Sequence, residues 1–338
     1  MRTFYPSESV HLNPVDFVYG SEFIDQAFFG ELIEERIKFY HAIEAVYSNE
    51  VRIPSRYMPI INRDIIEDAI PFHLRSEILN DFKHKNNNVN LKQEVTVSGN
   101  TLVMPLTTNS KGHFILEVIP YLSIANTFEI NNILFYTEYN ENFEFLIDNY
   151  FKNKINYIYF NNQNIRLENA IIPKYRFSAH SSMKKTVSII LNNIKKNQDS
   201  EIFENIFISR QDSVHYRTLL NEDKVVKIFE EYGFKILKLN GMNESKLIQY
   251  FLNAKYIAGP LGAGLYNSIY SSNTAKIIAL NSPNYNLSFL DDCISINNAK
   301  RGYIFGPEFI SYDDSHKGCH NNFLIDTQYI KDFLKKEF

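Results

Sequence analysis

The stretch that most constrains the fold is Ala254–Leu280, which reads as a buried strand, a glycine-rich turn, a helix start and a second buried strand. The turn, Gly259–Gly264, contains three glycines and one proline. Glycine lets the backbone approach other groups closely, and a strand–turn–helix unit of this kind presents bare N–H groups to an anion. A tight corner that binds nothing satisfies the same pattern, because short glycine patterns also occur by chance. The rest of the chain must decide between the two interpretations.

Apolar segments that alternate with amphipathic ones predict an α/β fold. In the second half, the pattern predicts strands over 205–209, 234–239 and 303–305 and helices over 222–232, 243–253, 285–292 and 326–336, besides a helix over 265–270 and a strand over 276–280. Repeated strand–helix units with short connections predict a parallel sheet covered on both faces. Ligands bind such sheets beyond the carboxyl ends of the strands, which is where the glycine turn is expected.

The first half carries a less regular pattern. Two hairpins are expected, one over 41–53 that turns at Ser48-Asn49 and one in which Gly99-Asn100 joins strands over 94–98 and 101–106. Other segments predict a helix over 22–35, a strand over 132–136, a helix over 143–151, a strand over 157–160, a strand that ends at 170–173 and a helix over 183–196. The predicted domains are residues 1–180, residues 181–320 and a closing helix within 321–338, with polar connections at 174–182 and 195–199.

Length and composition exclude several classes of protein. A chain of 338 residues fits two hydrophobic cores, and a net charge of −4 without a basic block argues against a nucleic-acid surface. No apolar run approaches the roughly 20 residues of a membrane span, and the first ten residues lack the apolar core of a signal peptide. Cys293 and Cys319 form neither a CxxC nor a zinc pattern, so free thiols of a reducing compartment are expected and a metal is not.

Two arginines follow the strand that ends at Ser209. Arg210 and Arg217 lie seven residues apart in a predicted loop, at the same sheet edge as the glycine turn. Guanidinium groups bind phosphate oxygens in a bidentate manner, so this placement favours a phosphate clamp over two solvated surface arginines.

A histidine and a glutamate lie one helical turn apart in the first half. His113 and Glu117 share one face of a predicted helix that is capped by Asn109 or Ser110 and shortened by Pro120. The pair is expected to point away from the apolar stripe of this helix. A functional pair and a surface ion pair are both consistent with this spacing.

Two separated groups of motifs, in the correct order, carry a resemblance to a known family. The second half contains Ile208-Ser209-Arg210, Arg217, Asn221-Glu222-Asp223, Gly233-Phe234 and the stretch 254–267, and the first half contains Gly-His-Phe-Ile-Leu-Glu-Val-Ile-Pro at 112–120. Together these stretches resemble glycosyltransferase family 61, and the resemblance spans roughly residues 94–305.

The chain departs from the pattern of this family at four places. Leu261 stands where the family has histidine, and Ala279 stands where a strand usually ends in an acid. Gln211 replaces the second arginine of Ser-Arg-Arg, and Lys246-Leu247 falls where the family has Glu-Gln. An acid at position 279 would suit the hydroxyl groups of a donor, so its loss leaves the choice of donor open.

The resemblance implies a GT-B-like α/β fold, with two Rossmann-like domains facing across a cleft. The nucleotide-sugar donor would lie mostly on the second domain and the acceptor on the first, and the enzyme would be inverting and independent of metals and other cofactors. No Asp-x-Asp motif is present to hold a metal–diphosphate.

Roles for individual residues follow from the resemblance. The diphosphate would be neutralised by Arg210, Arg217 and the N–H groups at the start of the helix, with Asn267 beside them; these N–H groups belong to Gly262, Ala263, Gly264 and Leu265. Further nucleotide contacts would come from Ser209, Pro260, Leu261 and Tyr266. His113 would act as the general base, with Glu117 orienting it or binding the acceptor, and the two roles can be exchanged.

The resemblance also suggests partners and a location. The acceptor would be a glycan or glycolipid in the biosynthesis of bacterial capsule or lipopolysaccharide, in the cytoplasm at the inner face of the inner membrane, with peripheral membrane association. No nucleic-acid partner is expected, and the oligomeric state is not predicted.

Two alternatives stay open. One is a non-catalytic module that binds a nucleotide or sugar. The other is a nicotinamide-dependent oxidoreductase, for which the spacing of Gly259, Gly262 and Gly264 and the lack of a following acid are unfavourable.

Overall fold

The computed structural model of the protein describes residues 2–5, 7–40, 42–54, 58–61, 64–71, 74–85, 94–104, 106, 108–161, 163–174, 180–194, 202–212, 217–285, 287–309 and 321–338. The predicted connection at 195–199, most of the one at 174–182 and Cys319 lie outside these residues. Cys293 is a buried free thiol whose pKa is raised well above its usual value by burial. No helix within the described ranges is long and apolar enough to cross a membrane.

The strands in chain order are β1 (Arg2–Tyr5), β2 (Glu8–Leu12), β3 (Phe17–Tyr19), β4 (Arg36–Tyr40), β5 (Ile43–Ile53), β6 (Ile60–Ile61), β7 (Asp64–Ile65), β8 (Glu94–Met104), β9 (Asn132–Phe135), β10 (Asn156–Tyr159), β11 (Asn164–Pro173), β12 (Asn205–Ser209), β13 (Lys235–Lys238), β14 (Tyr256–Pro260), β15 (Lys276–Asn281), β16 (Lys300–Phe305), β17 (Glu308–Phe309) and β18 (Asn322–Phe323). The α-helices are α1 (Gln26–Ile33), α2 (Arg75–Lys85), α3 (Lys111–Glu117), α4 (Ile119–Leu122), α5 (Glu141–Asp148), α6 (His180–Asn193), α7 (Glu222–Glu231), α8 (Glu244–Asn253), α9 (Ala263–Tyr266), α10 (Ser288–Ser295) and α11 (Thr327–Glu337). Single turns of 3₁₀ helix occur at Ser21–Phe23, Glu67–Ala69, Ser123–Asn126 and Asn267–Tyr270.

The chain folds into two compact units. The first contains Met1–Ser9 and Phe39–Ile194, and the second contains Val10–Lys38 and Lys195–Phe338. This division differs from the expected boundary at residue 180, because α6 belongs to the first unit and an early segment belongs to the second. The early segment joins the second unit because β3 pairs in parallel with β16, a contact between residues almost 300 positions apart.

The first unit is built on a mixed sheet with the strand order β10-β9-β8-β11-β5-β6-β7, with β1 paired to β5. The strands from β10 to β11 are parallel, and β5 joins β11 antiparallel. From β8 the chain moves outward to β9 and β10 and then returns to place β11 on the opposite side of β8. The order therefore reverses between β8 and β11, which opens a crevice beyond the carboxyl ends of these two strands.

Both predicted hairpins of the first half are wrong. Residues 43–53 form one strand, in which Ser48 and Asn49 pair with Ala170 and Asn169 of β11. Residues 94–104 also form one strand, and between Val97 and Asn100 it has one residue more than its partner β11. This extra residue makes a β-bulge with Gly99 at φ +83°. Gly99-Asn100 was predicted to form a turn but forms a bulge. The sequence does not distinguish the two, because both need a residue with positive φ.

The second unit is built on a parallel sheet with the strand order β13-β12-β14-β15-β16-β3. The predicted strands and helices of the second half are confirmed within a few residues, and Asn243 caps α8 as expected, with its Oδ1 accepting from Ser245 N at 3.0 Å. The chain places β13 on one side of β12 and β14 on the other. The strand order therefore reverses between β12 and β14, where ligands bind in open α/β sheets.

A buried ionic cluster fastens the early segment to this sheet. Asp291 of α10 forms an ion pair with Arg301, whose Nε lies 2.9 Å from its Oδ1, and it accepts from Arg36 Nη2 at 3.0 Å. Arg301 N donates to Asp16 Oδ2 at 2.7 Å. The side chain of Asp291 is 3% exposed, so the ion pairs with these cations offset the cost of burying a carboxylate. The cluster explains how a segment so distant in sequence stays in the second unit.

We predict that Asp291→Asn destabilises the protein by about 3–5 kcal/mol, because it leaves two guanidinium groups without their buried counter-charge. The measurement is urea-induced unfolding. The matched control is Glu204→Gln, which breaks the exposed pair with Lys255 at 2.7 Å and should cost less than about 1 kcal/mol. Equal, small losses in the two variants would show that the cluster does not hold the segment.

Candidate functional site

The two arginines and the glycine turn meet at the switch point of the second unit. Arg210 follows β12 directly, and Gly262 follows β14 by two residues. A Cβ built on Gly262 would lie 2.2 Å from Arg210 Nη1 and 4.0 Å from Arg217 Nη1. Both guanidinium groups therefore converge on the bare backbone of Gly262, and the three predicted residues form one cluster.

A buried carboxylate holds Arg210 in place. Glu222, the first residue of α7, accepts a hydrogen bond from Arg210 N at 2.8 Å and another from the Ser209 hydroxyl. Burial raises the pKa of Glu222, and the hydrogen bonds from Ser209 and Arg210 N, with the Arg210 charge, oppose that rise. Next to it, Gln211 Nε2 donates to Asp223 Oδ1 at 2.5 Å. Glu222 was not predicted as a site residue, although its place in the Asn-Glu-Asp motif was the available signal.

The guanidinium group of Arg217 lies against an aromatic ring, and the residue has an unusual backbone conformation. Its Cζ lies 4.3 Å from the ring centroid of Tyr285, a cation–π contact, and its φ is +55°, which is rare for a non-glycine residue. Tyr285 OH shares a hydrogen bond of 2.8 Å with Tyr266 OH. Sequence reasoning missed Tyr285 as a site residue, because it was placed at the start of the predicted helix over 285–292, whereas α10 begins at Ser288.

The other predicted donor contacts divide into accessible and buried groups. Ala263 and Gly264 are partly exposed, whereas Ser209, Pro260, Leu261, Leu265, Tyr266 and Asn267 are buried. Leu265 N and Tyr266 N donate to Gly262 O at 2.9 and 3.3 Å, and Asn267 Nδ2 donates to Gly264 O at 3.0 Å. These groups close the turn. Because α9 is a single turn followed by 3₁₀ helix, the predicted helix dipole is weak here.

The cluster is suited to an anion that carries several oxygens. Two guanidinium groups offer forked N–H donors, and the turn brings the backbone of Gly262, which has no side chain, close to them. A diphosphate presents the matching acceptors.

The His113–Glu117 pair lies in the first unit, on α3, which begins beyond the carboxyl end of β8. His113 Nδ1 and Glu117 Oε1 are 2.5 Å apart, the His113 side chain is 39% exposed and the Glu117 side chain is 0% exposed. The expectation that the pair points away from the apolar face is wrong for Glu117. Residues 114–122 are all buried, so α3 and α4 have no fully solvated face.

The buried carboxylate of Glu117 determines which nitrogen of His113 can accept a proton. An ionised carboxylate can only accept, so Nδ1 of His113 donates to it and Nε2 is left as the basic nitrogen. The hydrogen bond to Glu117 raises the pKa of His113; burial opposes this rise, and the charge of Glu117 adds to it. The pair therefore has the form of a base held in one tautomer by a carboxylate.

Neighbouring loops fix the start of α3. Asn140 Nδ2, beyond β9, donates to Asn109 Oδ1 at 2.9 Å. The rings of Phe114 and Phe143 stack with centroids 4.1 Å apart. Both contacts join α3 to the βαβ unit that follows, so His113 is carried at the edge of the sheet by rigid elements.

We predict that Gly262→Ala weakens binding of inorganic pyrophosphate by about ten- to a hundred-fold, the loss of a charge-assisted hydrogen bond. The added methyl group would occupy the position of the Arg210 guanidinium. Isothermal titration calorimetry measures the change. Gly30→Ala is the control, because its Cβ meets nothing within 4 Å. A Gly262→Ala protein that binds pyrophosphate like the parent would exclude the guanidinium cluster as an anion site.

Comparison with known proteins identifies the family. The model of the family described as Glycosyltransferase 61 matches residues 112–278, a segment that contains His113, Glu117, Arg210, Arg217 and Gly262. No curated protein matches the chain. Among the described residues, no group of three or more His, Cys, Asp or Glu side chains is arranged to hold a metal ion. The segment 112–278 therefore belongs to glycosyltransferase family 61, and this supports a glycosyltransferase activity with a sugar donor and an acceptor as substrates.

Proposed function

We propose that the protein is an inverting, metal-independent glycosyltransferase that moves a sugar from a nucleotide-sugar to a hydroxyl group of a glycan or glycolipid. The observation that carries the proposal is the convergence of Arg210 and Arg217 on Gly262 at the switch point of the second unit. Negative charge develops on the diphosphate as it leaves, and fixed guanidinium groups stabilise that charge without reorganisation.

The reaction is a single displacement. The acceptor hydroxyl oxygen attacks the anomeric carbon, and His113 Nε2 takes the hydroxyl proton. The bond between the anomeric carbon and the diphosphate oxygen breaks on the opposite face, which inverts the configuration. The electron pair of that bond leaves with the nucleoside diphosphate, next to Arg210 and Arg217.

The roles of His113 and Glu117 follow from their burial. The partly exposed His113 ring can reach a substrate, whereas the fully buried Glu117 carboxylate acts through His113. We therefore assign the base to His113 and its orientation to Glu117.

The proposal extends to architecture and setting. A GT-B arrangement of two Rossmann-like domains would present the acceptor half, with His113, to the donor half, with Arg210. Assembly of surface polysaccharide such as capsule or lipopolysaccharide, at the cytoplasmic face of a bacterial inner membrane, is the proposed setting.

We predict that kcat/KM rises with pH through an apparent pKa above 6.5, the usual value for histidine, because only neutral His113 can accept the proton. Glu117→Gln removes the largest cause of the raised pKa, so this limb should move to lower pH while the rate falls. The control is Glu144→Gln, which alters a carboxylate that accepts from Tyr159 OH at 2.6 Å in the same unit. If kcat/KM of Glu117→Gln rises with pH through the same apparent pKa as that of the parent, His113 is not the base.

We predict that at least one nucleoside diphosphate sugar is turned over with a glycan acceptor, with inversion seen by NMR of the product. His113→Ala should lower kcat by about 100- to 10,000-fold, the contribution of a general base, and leave donor binding unchanged. Arg210→Ala should weaken donor binding, and Arg210→Lys should restore it only in part, since lysine lacks the planar fork. A protein that binds donor but turns over no acceptor in a broad panel would favour the non-catalytic alternative.

A further inference from the structure

A pocket of about 330 Å³ lies at the carboxyl edge of the second sheet, outside the guanidinium cluster. The segments that follow β3, β15 and β16 form its walls, including Phe23, Asp25, Phe28, Asn284, Pro307 and Glu308. Its volume is at the small end of the range for sites that hold organic ligands, about 300–1,000 Å³.

The charge of this pocket differs in sign from that of the guanidinium cluster. Its described lining residues include two acids, Asp25 and Glu308, and neither lysine nor arginine. A phosphate would be repelled by these carboxylates. A neutral ring with hydroxyl groups suits them, because carboxylate and amide oxygens accept from hydroxyls and the faces of Phe23 and Phe28 pack against flat rings.

One wall of the pocket is fixed by a hydrogen-bonded carboxylate. Glu308 Oε1 accepts from Asn284 N at 3.0 Å, and its Oε2 accepts from Asn284 Nδ2 at 2.7 Å and from Asn321 Nδ2 at 3.0 Å. Burial would raise the pKa of Glu308, but the hydrogen bonds from Asn321, Asn284 and Ser282 outweigh it and lower the pKa. Glu308 is thus a positioning residue that holds Asn284, and Asp25 is the acid with acceptor capacity to spare. Asp25 Oδ1 accepts from Phe28 N at 2.8 Å.

The pocket and the guanidinium cluster lie along the same edge of the second sheet. Asn284 of the pocket wall is followed in the chain by Tyr285, on whose ring Arg217 lies at 4.3 Å. Both sites lie beyond the carboxyl ends of neighbouring strands of one sheet, β12 and β14 for the cluster and β15, β16 and β3 for the pocket. Strands in a sheet are about 4.8 Å apart, so the centres are on the order of 10–15 Å apart, within the reach of one nucleotide-sugar.

The pocket is formed by parts of the chain that the family match does not reach. All its lining residues belong to 23–28 or 283–308, whereas the match covers residues 112–278. Arg210, Arg217 and Gly262 lie inside the matched segment. The residues that would hold the diphosphate thus lie inside the matched segment, and the residues that line the pocket lie outside it.

We propose that this pocket is the nucleoside subsite of the donor site, with the ribose hydroxyls on Asp25 and Asn284 and the base against Phe23 and Phe28. The inference rests on the proposed function, because it takes the diphosphate to lie on Arg210 and Arg217. The nucleoside is favoured over the transferred sugar on chemical grounds. The anomeric carbon must stay open to the acceptor, whereas the nucleoside can be enclosed by residues of one unit alone.

The test compares pyrophosphate with ribonucleoside diphosphates, each beside its 2′-deoxy form, by isothermal titration calorimetry on the full chain. Asp25→Asn keeps the helix cap, since asparagine caps as well as aspartate, but replaces a carboxylate oxygen by an amide. Phe28→Ala removes one ring, and the exposed Phe309→Ala, just past Glu308, is the matched control. Arg210→Ala tests the binding of the diphosphate, and thermal unfolding verifies that each variant is folded.

The parent should bind one ribonucleoside diphosphate more tightly than pyrophosphate and than the matching 2′-deoxy form. Asp25→Asn should weaken nucleoside diphosphate binding by about ten-fold, the size of one hydrogen bond to a charged group. Phe28→Ala should weaken it by about two- to ten-fold, the size of one aromatic contact. Both variants should leave pyrophosphate binding unchanged. The Phe309→Ala protein should match the parent, and Arg210→Ala should weaken both ligands.

Pocket variants that retain the parent's preference for nucleoside diphosphate over pyrophosphate would overturn the subsite. If Arg210→Ala still weakened the binding of both ligands in that case, the proposed function would stand. Equal losses for both ligands in the pocket variants would also overturn it, because a pocket with two acids does not hold phosphate. A parent that binds neither ligand would overturn the proposed function together with the subsite.

Discussion

The constraint on which this structure depends is that a buried carboxylate must be paired, since its desolvation costs several kcal/mol otherwise. Of the buried acids among the described residues, three each position a part of the molecule. Asp291 fastens the early segment to the second sheet, Glu222 fixes the backbone of Arg210, and Glu117 orients the ring of His113. The candidate functional groups are thus held by charges in the interior, while they themselves reach the surface.

Part of the fold could be predicted from sequence because it is locally encoded. In the second unit each strand and the helix after it are neighbours in sequence, so periodicity and caps such as Asn243 were sufficient. The first unit could not be predicted in this way. Its strands β5 and β8 pair with β11, more than 60 residues away, and nothing in 43–53 or 94–104 reveals that partner. Turn residues within a long strand then indicate a hairpin where the structure has a continuous strand.

Prediction of the candidate site from sequence was limited in the same way. Arg210, Arg217 and Gly262 could be predicted to converge, because the carboxyl ends of parallel strands meet at one edge. Tyr285 and the burial of Glu117 could not be predicted, since each depends on packing between distant segments. The backbone of Arg217 is a further case: a non-glycine residue at φ +55° is held there by its surroundings, and such conformations concentrate at functional sites.

The fold shows the surroundings of two residues at which the chain departs from the family pattern, Ala279 and Leu261. Ala279 lies in β15 between Gly259 and Tyr303 and is fully buried, so an acid at this position would need a partner that an alanine does not. Leu261 is also buried, and its N–H extends the pairing of β14 with β15 by donating to Leu280 O at 2.9 Å. Without these polar side chains, the corner between the two strands is closed by apolar packing. Besides Glu222 and Asp223 at the guanidinium cluster, acidic groups lie farther along this edge, at Asp25 and Glu308, in segments brought there by β3 and β16. The ionic cluster around Asp291 that retains the early segment thereby also retains Asp25, so the stability of the second unit and the chemistry of its edge depend on the same buried charge.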